Sequence, residues 1–374
     1  MLGLLALAAC AVPGSESRFD PEAPVIVGVL VPTGSTNPEQ EALGQSLANA
    51  AQLAGQSVEG IALDIQVFET AGDATTAARA AETALAGGAD ILVGPFYADE
   101  TAAVAAIADA AGRRVLSFSN NTAVAGGNVH LLGITFEALA GRLVGFAAAQ
   151  NLGPLGTVYP EGIEGEAARD AIRQATAAVG AEIVVEEAYP FSVQGITETA
   201  GRIARTVRAS GAAAIILTDS PAGGLPFITE TLRGLGVRPR AVQFLGLQRW
   251  NAVPRAVAQP GLQGGWFVAP DPALAAGFAA RYQAAYGTPP HPLASLAFDA
   301  IAATGAMVAE ARIDGAAPFS AERLTDPAGF AGVNGIFRFR ADGGTDRALT
   351  VFEVIDGDAR PLDPAPRSFQ TPGA

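Results

Sequence analysis

The chain has 374 residues and a formal net charge of −14, from 23 basic and 37 acidic side chains; every basic residue is arginine, and there are two histidines and one cysteine. The absence of lysine excludes Schiff-base, pyridoxal-phosphate and P-loop chemistry, and so few thiols and imidazoles exclude a Cys/His zinc cluster and an internal disulfide. The acidic balance argues against a nucleic-acid partner, whose affinity comes from cations on phosphates, and the length suits about two domains.

Residues 1–9 form an apolar run too short for a bilayer, which needs about 20 apolar residues. They read as the hydrophobic half of a secretory signal peptide, although no basic residue precedes the run. Leu7-Ala8-Ala9-Cys10 resembles a bacterial lipobox. That resemblance implies acylation of Cys10 and a lipid anchor facing the periplasm. The enterobacterial sorting rule points to the outer membrane, because Ala11 is not Asp. Residues 10–23, rich in Pro, Gly, Ser and Glu without periodicity, read as the lipidated tether.

From residue 24 onward, apolar strand, turn and Ala-rich helix alternate, which predicts parallel α/β sheets. Strands are expected at 25–31, 61–68, 90–93 and 114–117, with helices at 38–55, 74–86 and 99–111. Continuous apolar runs without alternation indicate strands buried on both faces. A second series places strands at 155–158, 181–187, 212–217, 241–245 and 262–268. Helices are expected at 164–179, 196–209 and 224–235, then at 272–286 and 292–311. Residues 335–340 and 348–355 alternate as a hairpin around Ala341-Asp342-Gly343-Gly344, and the proline-rich tail from 356 is expected to be irregular.

The order of elements resembles the leucine/isoleucine/valine-binding branch of type I periplasmic solute-binding proteins. The stretches carrying the likeness include Val27-Gly28-Val29-Leu30-Val31-Pro32, Ala89-Asp90-Ile91-Leu92-Val93-Gly94-Pro95 and Val115-Leu116-Ser117-Phe118-Ser119-Asn120-Asn121-Thr122. Tyr286-Gly287-Thr288-Pro289-Pro290 and Ala297-Phe298-Asp299-Ala300 add to it. The resemblance implies an α/β fold of two lobes, each a parallel sheet flanked by helices, with three inter-lobe crossovers. Lobe 1 would hold 24–140 and 270–330, lobe 2 would hold 141–269 and 331–366, and 367–374 would be a tail.

Ligands of open α/β sheets sit beyond the carboxyl ends of strands. The first-lobe candidates are therefore Thr33, Tyr97, Asp99, Thr101, Ser119, Asn120, Asn121 and Thr122; the second-lobe candidates are Tyr159, Ser220, Gln248, Arg249 and Trp250. Asp99 and Glu100 either face a ligand or serve as first-turn helix charges. Ser119–Thr122 either binds a small ligand or satisfies its own turn. Trp250 either stacks on a ring or packs between elements. His130 and His291 read as structural. Amino-acid binders of this family carry an acidic residue near Gln248 for the ligand's ammonium. Here a neutral Gln and the cation Arg249 stand instead, so a charged ligand would be anionic. No Gly-x-Ser-x-Gly elbow or Gly-x-Gly-x-x-Gly loop opens a helix, and neither catalysis nor a cofactor or metal is expected. The resemblance also implies a serine-rich turn for the ligand carboxylate where Tyr97-Ala98-Asp99-Glu100-Thr101 stands here; with both amino-acid anchors altered, the leading expectation is a penicillin-binding-protein-activator-like regulator contacting a peptidoglycan synthase. The alternative is the binding component of an ABC importer, delivering an amino acid, amide or small carboxylate to its permease from the inter-lobe cleft.

Overall fold

The computed structural model describes residues 23–369 except 59, 240 and 254; Cys10 and its lipobox lie outside them. The first sheet is parallel, in the order β2-β1-β3-β4-β5: β1 (Val25–Val31), β2 (Leu63–Glu69), β3 (Ile91–Val93), β4 (Arg114–Ser117) and β5 (Val129–Leu131). In β1, Val27, Val29 and Val31 pack under α1 (Pro38–Ser57) and α9 (Ser295–Asp314), while Leu30 on the opposite face meets α2 (Ala74–Ala86) and α3 (Ala98–Ala110). Both faces are covered, which is why the strand reads as an unbroken β-branched run. Local signals set the helix starts: the Asn37 side chain accepts from the Glu39 N–H at 2.9 Å and Pro38 opens α1. Small residues set the spacing, since a Cβ on Gly28 would lie 3.0 Å from the Ala84 Cβ of α2.

The second sheet runs β15-β14-β10-β9-β8-β6-β7. Its parallel part is β6 (Leu155–Pro160), β7 (Ile183–Tyr189), β8 (Ala214–Leu217), β9 (Gln243–Gly246) and β10 (Trp266–Ala269). Two antiparallel edge strands, β14 (Thr350–Ile355) and β15 (Asp358–Asp363), complete it. Helices α4 (Phe136–Ala149) and α5 (Ile163–Ala178) cover one face, and α6 (Val193–Ser210) and α7 (Leu225–Gly234) cover the other. A third, antiparallel sheet of β11 (Phe330–Gly332), β12 (Gly335–Phe339) and β13 (Thr345–Arg347) lies beside α9, which follows α8 (Pro272–Tyr286) and precedes the short α10 (Ala321–Leu324).

Two expectations for the C-terminal part differ from the structure. The hairpin partner of β12 is β13, and residues 350–355 leave it to join the second sheet, because Val351 and Val354 bury in the second lobe's cores while Phe337 and Phe339 bury with α1 and α9. The expected lobe-2 segment 331–366 therefore divides near residue 348. The tail expected to be irregular forms β15, since it pairs with the otherwise open edge of β14. The chain passes between lobes at 132–135, 270–271 and 348–349.

A buried ion pair holds the first and third of these passages. Asp299 on α9 and Arg347 at the end of β13 meet at 2.9 Å with side chains 0% and 2% exposed. Arg347 also donates to the Leu132 carbonyl at 2.9 and 3.2 Å and lies over the Phe337 ring, while Asp299 accepts the Val333 N–H at 2.7 Å. Burial pushes the Asp299 carboxyl up and Arg347 pulls it back. Removing one partner leaves a buried charge alone, so Asp299→Ala is expected to destabilise by about 3–5 kcal/mol in chemical denaturation. A loss under about 1 kcal/mol contradicts this account.

His130 on β5 is buried edge-on to Phe339 at 5.5 Å, with Nδ1 unpartnered, and burial together with Arg114 pulls its pKa from 6.5 to about 4. The unfolded chain therefore takes up this proton first as pH falls. Stability is unaffected by this group above about pH 6.5 and declines between 6.5 and 4, by roughly 3 kcal/mol in all. Melting curves across that window should fall more steeply for the native protein than for His130→Gln; equal slopes contradict the assignment.

Candidate functional site

The carboxyl ends of the two parallel sheets face each other, and a cavity of about 370 Å³ lies between them. Phe96, Phe118 and Leu296 form one apolar wall, and Pro221, Ala222 and Val253 form the other. Ser119, Asn120, Ser220, Gln248, Ser295 and Asn334 supply neutral polar groups. Arg249 is the one charged residue among the described lining, and no carboxylate lines the cavity.

The first-lobe wall is set by short turns after β3 and β4. Gly94 ends β3 at φ +90°, and a Cβ there would lie 2.2 Å from the Leu30 carbonyl, so only glycine fits. The Ser117 hydroxyl donates to the Pro95 carbonyl at 3.1 Å and lies 2.8 Å from the Thr101 hydroxyl, which fixes Phe96 and Phe118 relative to each other. Gly133, also on the cavity, packs so closely that a Cβ would stand 2.5 Å from the Ser119 carbonyl.

The second-lobe wall is organised by Asp219, which the sequence reading did not single out. Its carboxylate accepts the Tyr189 hydroxyl and the Ser220 N–H, both at 2.7 Å, and the Gly224 N–H at 3.0 Å. The loop carrying Ser220, Pro221 and Ala222 is thereby closed on itself, and burial beside this carboxylate raises the Tyr189 hydroxyl well above its ordinary range. A usable signal was the Asp-Ser-Pro start of a turn that ends in Gly223-Gly224 directly after an apolar strand. Ser295 and Asn334, hydrogen-bonded at 2.6 Å, come from distant elements and carried no such signal.

Arg249 follows β9 and makes no side-chain hydrogen bond or ion pair among the described residues; its Nε is buried without a partner. Burial lowers its pKa from the ordinary value, but guanidinium stays protonated in proteins. The cavity thus offers an apolar body, neutral hydrogen-bonding groups and one uncompensated, partly desolvated cation.

The other sequence candidates are placed as follows. Ser119, Asn120, Ser220, Gln248 and Arg249 meet at the cavity. Asn121 and Thr122 lie on an adjoining chamber of about 380 Å³. The Ser119 hydroxyl accepts the Asn121 N–H and the Asn121 side chain accepts the Ala123 N–H, so this turn also satisfies itself. Asp99 sits exposed in the first turn of α3, and Glu100 is buried, accepting the Tyr97 N–H at 3.1 Å. Thr101 donates to the Tyr97 carbonyl, and Thr33 packs against Gly44 of α1; neither lines the cavity. Tyr159 lies under Arg169, 5.5 Å from ring to guanidinium. Trp250 is fully buried, filling space left by Gly246 and Gly265, where a Cβ would come within 2.2 and 2.5 Å of its ring.

A family model described as periplasmic binding protein matches residues 24–359. The chain belongs to this family. Its members bind ligands without catalysis and work in the periplasm. No curated protein matches the chain. Solved structures share the fold. One, from Rhodospirillum rubrum and assigned to branched-chain amino acid ABC transport, has a TM-score of 0.74 at 20% identity, covering 91% of this chain and all of that one. An ABC transporter substrate-binding protein from Desulfitobacterium hafniense, in complex with Leu, has a TM-score of 0.62 at 18% identity, covering 91% and 100% of the two chains. An ABC transporter solute-binding protein from Rhodopseudomonas palustris, in complex with 3,4-dihydroxybenzoic acid, has a TM-score of 0.59 at 15% identity, covering 91% and 96%. At these identities the likeness is one of fold.

Proposed function

We propose that the protein is the substrate-binding component of an ABC importer and takes a small carboxylate with an apolar body, delivered to the permease after the lobes close. The observation that carries this is Arg249: a lone cation in a cavity whose described lining holds no carboxylate. A carboxylate ligand neutralises the guanidinium through charge-assisted hydrogen bonds. The ammonium of an α-amino acid, on the carbon next to the carboxylate and so held beside Arg249, would meet no carboxylate among the described lining residues and would lose its hydration uncompensated. The Rhodopseudomonas palustris protein, which holds an aromatic acid without an ammonium, offers a parallel for this ligand class. The altered anchors that first suggested a regulator are thus accounted for by a different ligand. Cys10, by its lipobox resemblance, would tether the protein at the periplasmic face of a membrane, the outer one by the sorting rule.

Calorimetry with benzoate, 3,4-dihydroxybenzoate, phenylalanine and leucine tests the ligand class. The two acids lacking an ammonium should bind about tenfold or more tightly than either amino acid, and Arg249→Gln should weaken them by about 2–5 kcal/mol. Tighter binding of an amino acid, or full affinity in Arg249→Gln, contradicts the proposal. For the anchor, Cys10→Ser should move the protein from the membrane to the soluble fraction; unchanged membrane association contradicts the lipobox reading.

A further inference from the structure

The cavity does not stand alone. Ser220 borders both it and a chamber of about 250 Å³ lined by Glu161, Glu164 and Asp219. Asn120 borders both it and the chamber that also carries Glu137 and Glu164. Among the described residues, no arginine lines either chamber. Asp219 is occupied by its three hydrogen bonds and Glu137 accepts the Thr122 hydroxyl at 3.2 Å. Glu161 and Glu164 form no ion pair among the described residues. Glu164 is the carboxylate tied to the cavity itself: from the exposed first turn of α5 its Oε1 accepts Gln248 Nε2 at 3.3 Å, and Gln248 is the neighbour of Arg249 in the cavity lining.

From this arrangement we infer that Glu164 is a specificity-determining residue, which turns away ligands carrying a second anionic group and admits those whose remaining polar group is neutral. The inference rests on the carboxylate reading of the cleft. One guanidinium compensates one carboxylate; a second, at the mouth beside Gln248, meets a like charge with no cation to relieve it. Repulsion of this kind separates related ligands without any added attraction to the favoured one. Because Glu164 is exposed, the discrimination is screened by salt.

Terephthalate and 4-carbamoylbenzoate are near-isosteric and differ in the charge of one end, so size drops out of the comparison. Calorimetry at low salt should show 4-carbamoylbenzoate binding the native protein about tenfold or more tightly than terephthalate, with the ratio shrinking at about 0.5 M NaCl. Glu164→Gln should bring the two within about threefold, by tightening terephthalate. Glu166→Gln, an exposed change on the same helix that touches neither chamber, should keep the native ratio. An unchanged ratio in Glu164→Gln, or the same collapse in Glu166→Gln, overturns the inference. If benzoate and 4-carbamoylbenzoate both fail to bind the native protein, the carboxylate reading falls and this inference falls with it. If both bind and terephthalate binds equally well, this inference alone falls.

Discussion

Two lobes can face a ligand only if the segments joining them leave each sheet in a fixed direction, and here one buried guanidinium holds that direction for two of the three. Arg347 reaches the Leu132 carbonyl on the first passage from the end of β13, on the third, and is neutralised by Asp299 on α9. The Thr345 hydroxyl donates to the neighbouring Leu131 carbonyl, and the Leu131 N–H donates to Gly343. On the other side, Arg142 of α4 donates to the Leu349 carbonyl at 2.8 Å and pairs with Asp363 of β15. The third passage is therefore gripped by the first lobe up to the Ala348 N–H, which donates to the Ile336 carbonyl at 3.0 Å, and by the second from the Leu349 carbonyl, leaving the bonds between these two groups as the short link. Bending concentrated at a few element-terminal residues is how hinge closure works.

The buried Arg347 and the half-buried Arg249 do opposite things with the same chemistry. Arg347 has its carboxylate and two bonds to a carbonyl, and is structural. Arg249 has neither among the described residues, and lines the cavity between the lobes. An uncompensated cation facing a cavity is a standing electrostatic cost, relieved when an anion arrives. A site built this way selects its ligand's charge before its shape, and the apolar walls then select the body that accompanies the charge.

The parallel sheets were legible in the sequence because strands buried on both faces need unbroken apolar runs, as in β1, β3 and β8. The C-terminal hairpin was misread because alternation reports that a strand is half-buried without naming its partner; β14 chose β10 over β12 for the sake of Val351 and Val354. Of the candidates from the strand-end rule, Ser119, Asn120, Ser220, Gln248 and Arg249 line the cavity, whereas Thr33, Thr101 and Trp250 do not. It gives a residue's place and not its direction. Trp250 turns inward because Gly246 and Gly265 leave a slot of its size, a fact visible only once β9 and β10 lie side by side. Ser295 and Asn334 reach the site from elements far along the chain, which no local pattern announces.

The account turns on where a bound carboxylate sits. A crystal structure of the protein with benzoate tests this directly. The account predicts the carboxylate within hydrogen-bond distance of the Arg249 guanidinium, with the ring between Phe96 or Phe118 and the Pro221–Ala222 turn. A ligand held in the cleft with Arg249 unengaged, or with its carboxylate on Ser119 and Asn120 alone, contradicts it.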